Sequence, residues 1–161
     1  MTILKEALAY ILKNYPQNMA HELSNARVTK MLYLADWHQA INRGNQITSI
    51  NWYFDNYGPY VNDVRAEAEA NPSLFKIMWT NNMYGQPKLM LGLNDRSYVP
   101  NISPEVKSSL DHVLEQTQKM YWDSFIKLVY STYPITSSDR YSQLNLINKA
   151  IEYRASQKAT A

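Results

Sequence analysis

The stretch RVTKMLYLADWHQAINRGNQITSINWYFDNYGPYVNDV, from Arg27 to Val64, decides how this chain folds. Its first half predicts a helix, because Ser24 or Asn25 supplies a short polar cap and Gly44 favours a left-handed stop. A helix that is apolar on more than one face is usually buried on more than one face, so we expect this one at the centre of the domain. Its apolar residues are Val28, Met31, Leu32, Tyr33, Leu34, Ala35, Trp37, Ala40 and Ile41.

One carboxylate interrupts this apolar helix. Asp36 is costly to bury without a partner, and its neighbours one turn away are Leu32 and Ala40, which offer no local ion pair. We expect it to accept hydrogen bonds from a backbone or tyrosine group and so to lock the helix in place. Two alternatives stay open, a general base beside His38 and a carboxylate exposed to a cleft and a partner.

After Gly44 the chain changes from helical to extended character. Ile47 to Phe54 contains β-branched and aromatic residues, which predicts a strand with Trp52 and Phe54 on one face and Tyr53 on the other. The run Asn56-Tyr57-Gly58-Pro59-Tyr60 then predicts a turn into a helix, with Pro59 at the first helical position. That helix should stop at Asn71-Pro72.

Two motifs in this stretch resemble those of the Panacea domain, the SocA-like antitoxin domain. The family has a run of the form K-L-L-Y-L-A-D-x-x-H, followed some twenty residues later by Y-G-P-V. Lys30, Leu32, Tyr33, Leu34, Ala35 and Asp36 match the first run directly, and Tyr57-Gly58-Pro59 matches the second. We take Lys30, Leu32, Tyr33, Asp36 and the nearby His38 as the structural motif. Near the end the family often has a Thr-His and a Pro-Trp pair. Ser131-Thr132-Tyr133-Pro134-Ile135 lacks the histidine and the tryptophan, which is typical of a divergent member.

The resemblance implies a function that the residues themselves do not. Members of this family are antitoxins that neutralise unrelated toxins by direct protein contact, and some occur in phages and other mobile elements. One member is an adaptor that delivers its toxin to a protease, so an adaptor role would add a protease as a second partner. The expected partner is therefore a cognate toxin.

Length and composition set the limits of these expectations. A chain of 161 residues predicts one domain, which we place at residues 1–154 with a flexible tail at residues 155–161. It has no cysteine, so disulfides and thiolate metal sites are excluded. No apolar run approaches the ~20 residues needed to span a bilayer, and we identify no signal peptide, so we expect a cytoplasmic protein with no membrane partner.

The rest of the chain predicts supporting helices and one hairpin. Helices are expected from a cap at Thr2 to Tyr15-Pro16, from Ser103-Pro104, and after a bend at Tyr121-Trp122. Strands at 74–80 and 88–93 flank a turn-rich loop. A last helix should bury Tyr141, Leu144, Ile147 and Ile151. The expected class is α+β, predominantly helical, with about six helices and a small antiparallel sheet of two or three strands.

The motifs of common enzymes are missing from this sequence. Its four glycines form neither a GxGxxG nor a Walker loop, and His21, His38 and His112 lack metal-site spacing. We therefore expect no enzyme, no catalytic residues, no cofactor and no metal.

The 13 tyrosines point instead to a protein interface. We expect the partner-binding residues to be Trp37, Trp52, Tyr53, Tyr57, Gly58, Pro59 and Tyr60. Two other interpretations stay open for this region. The turn can serve only to fix the next helix, and the tyrosines can pack at the edge of the core.

Two other functions also fit the pattern. A helix, a helix and a hairpin describe a winged-helix regulator, in which Lys30, Asn42 and Arg43 would touch DNA phosphates and the 81–87 loop would be the wing. With a net charge of only +2, nucleic acid is the weaker expectation. A protein carried by a phage or mobile element that binds a host defence factor is the other alternative.

Overall fold

The computed structural model describes residues 3–160. Over that range the chain forms seven α-helices, one 3-10 helix and five strands. The helices are α1 (Ile3–Asn14), the 3-10 helix (Gln17–Glu22), α2 (Asn25–Arg43), α3 (Asp63–Ala70), α4 (Pro104–Thr117), α5 (Trp122–Tyr130), α6 (Tyr133–Thr136) and α7 (Leu146–Thr160). The strands are β1 (Trp52–Asp55), β2 (Gly58–Pro59), β3 (Phe75–Asn81), β4 (Pro87–Leu93) and β5 (Ser142–Leu144). The predicted α+β class, mostly helical, is confirmed.

Helix α2 is the centre of the fold, as its apolar faces predict. The Ser24 hydroxyl accepts the Arg27 amide at its start, and Gly44, at φ +79°, ends it. Helices α1, α3, α4 and α7 and strand β4 all pack against α2. The predicted cap at Thr2 lies outside the described residues.

The strands form two separate antiparallel sheets. Strand β1 lies between β2 and β5, with Trp52 opposite Leu144 and Phe54 opposite Pro59, while β3 pairs only with β4. The predicted 74–93 hairpin is confirmed, but the predicted strand from Ile47 is shortened to its last part, and it does not join that hairpin.

The Gly58-Pro59 step is part of a β-hairpin, so the prediction that Pro59 begins a helix is wrong. Gly58 takes a φ of +99°, and the Tyr60 amide donates to the Tyr53 carbonyl over 2.9 Å, which folds the chain back along β1. A proline is tolerated there because β2 is an edge strand. The next helix begins only at Asp63 and ends, as predicted, before Asn71.

The last helix also starts later than predicted. Residues 142–144 pair with β1 instead of joining a helix, and α7 begins at Leu146. Leu144 is buried as expected, but Tyr141, Ile147 and Ile151 are exposed. The inward face of α7 includes Leu146 and Ala150 instead. The residues expected to form a flexible tail continue this helix through Thr160.

None of the helices within residues 3–160 is both long enough and apolar enough to cross a membrane.

Candidate functional site

Asp36 is the anchor of the site, and its carboxylate is fully buried. One oxygen, Oδ1, accepts the backbone amides of Ile47 and Thr48 over 2.9 and 3.0 Å. The other, Oδ2, accepts the Thr48 hydroxyl over 2.6 Å, the Trp52 indole N–H over 2.8 Å and the Gln46 side-chain amide over 3.3 Å. The predicted lock is confirmed for backbone donors, while the side-chain donors are a hydroxyl, an indole and an amide rather than a tyrosine.

This network fixes the 46–52 segment to α2 and so positions β1. Burial raises the pKa of Asp36 to about 6, and the hydrogen bonds from Thr48, Trp52 and Ile47 act in the opposite direction. A single carboxylate of α2 thus holds the segment that leads into β1.

His38 points to a different neighbour, so the general-base alternative is not supported. Its Nδ1 is 3.0 Å from the Ser109 hydroxyl of α4, and its ring stacks on His112 with centroids 4.2 Å apart. Burial, followed by the charge of His112, lowers the pKa of His38. The histidine is therefore a half-buried contact between α2 and α4.

The other members of the structural motif are buried, and Tyr33 packs against β1. Leu32 and Tyr33 are fully buried; the Tyr33 ring meets Trp52 edge-on at 5.5 Å, and its hydroxyl is 2.8 Å from that of Thr132. Thr132 belongs to the 131–135 segment that departs from the family's C-terminal pattern, so the fold brings that segment against α2.

Lys30 lies under the β1–β2 hairpin. It is only 2% exposed, and the terminal methylene of its side chain is 3.7 Å from where a Cβ on Gly58 would lie. Burial lowers the pKa of this lysine to about 8, against the opposing effect of the Asp55 charge. The Tyr130 ring lies 3.4 Å from the same position. The hairpin is therefore packed from below by side chains of two helices.

The tip of the hairpin carries the most exposed of the predicted interface residues. Tyr57 is 78% exposed, next to Asn56, whose side chain is hydrogen-bonded to the hydroxyl of Tyr141. Tyr141 is itself 59% exposed, and the neighbouring Arg140 guanidinium lies 5.4 Å from the Phe54 ring. We call Asn56, Tyr57, Arg140 and Tyr141 the hairpin-tip surface.

The remaining predicted interface residues divide between surface and core. Tyr53 and Tyr60 are half-buried, and the Tyr60 hydroxyl accepts the Asn25 amide over 3.2 Å. Trp52 and Trp37 are buried, so their prediction as partner-binding residues is corrected to a core role. Trp52 is needed by Asp36, and Trp37 packs edge-on against Tyr153 of α7.

Gly58 and Pro59 are buried strand residues next to the tip. Sequence reasoning missed Arg140 and Tyr141 as part of this surface. They come from a segment more than eighty residues away, and the helical spacing of Tyr141 with Leu144 gave a misleading signal.

The structure does not support α2 as the recognition helix of a DNA-binding protein. Most residues of α2 are buried, Lys30 included, so this helix is not available to a groove. The β3–β4 hairpin expected as a wing is present, but its exposed tip carries Met83 and Tyr84.

Comparisons with known proteins give one result. Neither the curated proteins nor the solved structures include a significant match to the chain. A family model described as "Antitoxin SocA-like, Panacea domain" matches residues 28–134. This range contains α2 from Val28 onward, the Asp36 network and the β1–β2 hairpin. The chain therefore belongs to the SocA-like antitoxin family of Panacea domains.

Proposed function

We propose that this protein is an antitoxin that neutralises a cognate toxin in the cytoplasm by direct protein–protein contact through its hairpin-tip surface. Membership of an antitoxin-like family supports the class of function. The surface is supported by one observation above others, the 78% exposed Tyr57 ring at the tip of a hairpin that is packed from below.

A rigidly held aromatic is a favourable binding group. Tyrosine offers a large contact area and a hydroxyl while losing little rotamer freedom, and such anchors carry most of the binding energy of many interfaces. The backbone beneath Tyr57 is fixed by the Tyr60–Tyr53 hydrogen bond and by the Asn56–Tyr141 contact. Binding at this surface therefore requires little ordering of the chain, which favours affinity.

The experiment is co-expression with the product of the adjacent gene, scored by growth. That product is expected to arrest growth alone and to be harmless beside the wild-type chain. Tyr57→Ala combined with Tyr141→Ala should abolish the rescue. Tyr84→Ala is the matched control, because Tyr84 is 81% exposed on the other hairpin.

Two results would contradict the proposal. The adjacent product can be harmless by itself, or it can stay toxic beside a folded wild-type chain. If rescue is lost with Tyr84→Ala but kept with the double variant, the antitoxin role stands and the surface is wrong.

A further inference from the structure

A cleft opens at the end of the β1–β5 ladder opposite to the hairpin tip. Beyond the Trp52–Leu144 pair the ladder ends, and a cleft of about 420 Å³ lies between residues 46–51 and residues 143–147. Its walls come from the segment that Asp36 holds and from the start of α7.

Both walls are held in place by hydrogen bonds. On one side the Gln46 side-chain amide donates to the carbonyls of Thr48 and Ile50 over 3.1 and 3.0 Å, in addition to its bond to Asp36. On the other side the Asn145 side chain accepts the Asn148 amide over 3.0 Å and so begins α7. The cleft is preformed, so a ligand would find its walls already ordered.

The exposed side chains that line the cleft are uncharged and can form hydrogen bonds with a ligand. Ser49, Asn51 and Gln143 are exposed lining residues whose side chains make no hydrogen bond to the described part of the chain. Ile147 adds an apolar side chain that is 41% exposed. Among the described lining residues none is ionisable. This lining suits a ligand that offers neutral donors and acceptors together with an apolar group, which describes an extended polypeptide segment.

The strand beside the cleft is also an edge strand. Sheet order β2–β1–β5 leaves one side of β5 without a strand partner among residues 3–160. An extended peptide can add to such an edge through main-chain hydrogen bonds while neighbouring pockets select its side chains. The three residues of β5, roughly 10 Å of extended chain, connect the cleft to Tyr141 and so to the hairpin-tip surface.

We infer that an extended, uncharged segment of the toxin adds as a strand along β5, with one apolar side chain against Ile147 in the cleft. This inference depends on the proposed function and extends it. The hairpin-tip surface and the cleft would then be the two ends of one continuous binding site.

Hydrogen–deuterium exchange tests this directly. The probe is the adjacent gene's product, and the exchange of the wild-type chain is compared alone and in the complex. Amides of residues 142–145 are expected to exchange at least about tenfold more slowly in the complex. Strand β3, the edge strand of the other sheet, is the internal control and should be unchanged.

A matched pair of variants tests the cleft itself. Gln143→Glu places a carboxylate in the neutral cleft and removes two donors at nearly constant shape, so the dissociation constant should rise about tenfold. Gln116→Glu makes the same change at an exposed position of α4 and should leave the dissociation constant unaltered. Ile147→Ser should also weaken binding, and circular dichroism should show all three variants folded.

The outcomes separate the two proposals. A complex that forms without slower exchange at residues 142–145, or with wild-type affinity in both cleft variants, overturns the strand addition and leaves the antitoxin role standing. Protection of β3 instead moves the site to the other sheet. If wild-type protein forms no complex and gives no rescue, the antitoxin proposal fails and the strand addition fails with it.

Discussion

Removing the Asp36 carboxylate is expected to be among the most damaging single changes in this protein. In Asp36→Ala the backbone amides of Ile47 and Thr48 and the indole N–H of Trp52 lose their acceptor while they stay buried. A buried donor without a partner costs about 1–3 kcal/mol. Three such donors therefore cost roughly 3–9 kcal/mol, a large part of the roughly 5–15 kcal/mol that stabilises a typical domain.

Two control variants separate the acceptor from its donors. Asp36→Asn keeps one oxygen for the two backbone amides but turns an NH₂ group toward the Trp52 indole, so we expect an intermediate loss of stability. Thr48→Val removes the hydroxyl that donates to Asp36 and accepts the Ile50 amide, but it leaves the carboxylate its other partners. Only the Ile50 amide then lacks a partner, so the loss should be smaller, on the order of 1–3 kcal/mol.

Urea unfolding followed by circular dichroism measures the free energy of unfolding of each variant. Amide exchange supplies the local result, because the Ile47 and Thr48 amides should be protected in the wild type and exposed in Asp36→Ala. The reasoning is refuted if the free energy of unfolding of Asp36→Ala is within about 1 kcal/mol of the wild-type value, as for an ordinary substitution, and both amides are still protected.

Two further predictions concern Lys30, which lies under the β1–β2 hairpin, and Gly58, which is part of it. Replacing Lys30 by Met should raise the free energy of unfolding at pH 7 by roughly 1–3 kcal/mol, because the buried ammonium is desolvated. The pKa of Lys30 is about 8 in the folded protein and 10.5 in the unfolded chain. The wild type should therefore gain stability relative to this variant as the pH rises from 8 to 10.5, and urea unfolding at both pH values checks the sign. Gly58→Ala forces a side chain to φ +99° and should cost at least about 1–2 kcal/mol in thermal unfolding. Gly44→Ala, also at positive φ (+79°) and with no atom within 4 Å of an added Cβ, carries the backbone cost alone and should lose a similar amount.

Local rules predicted the helices of this chain well where caps and periodicity agree. Helix α2 begins after Ser24 and ends at Gly44, and helix α4 begins at Ser103-Pro104. These signals are readable because each acts within one helical turn. The requirement that Asp36 be paired was also readable from sequence, since its helical neighbours are apolar. The identity of its donors was not, because they lie 10 to 16 positions away and depend on the path of the 46–52 loop.

The failures share one cause, which is strand pairing that the local sequence pattern does not determine. A Gly-Pro step fits a helix entry and a hairpin equally well, and only the pairing of Phe54 with Pro59 decides between them. Similarly, Tyr141 and Leu144 have helical spacing, yet β5 forms because Leu144 reaches Trp52 across the fold. The contribution of Arg140 and Tyr141 to the hairpin-tip surface therefore required the three-dimensional structure.

The most direct test of the central claim is the affinity of the chain for the adjacent gene's product, measured by titration calorimetry with Tyr57→Ala and Tyr84→Ala. If Tyr57 is the anchor of the toxin interface, its variant should bind about thirtyfold more weakly, the equivalent of roughly 2 kcal/mol, and Tyr84→Ala should match the wild type. Equal affinity of the wild type and Tyr57→Ala would contradict the account.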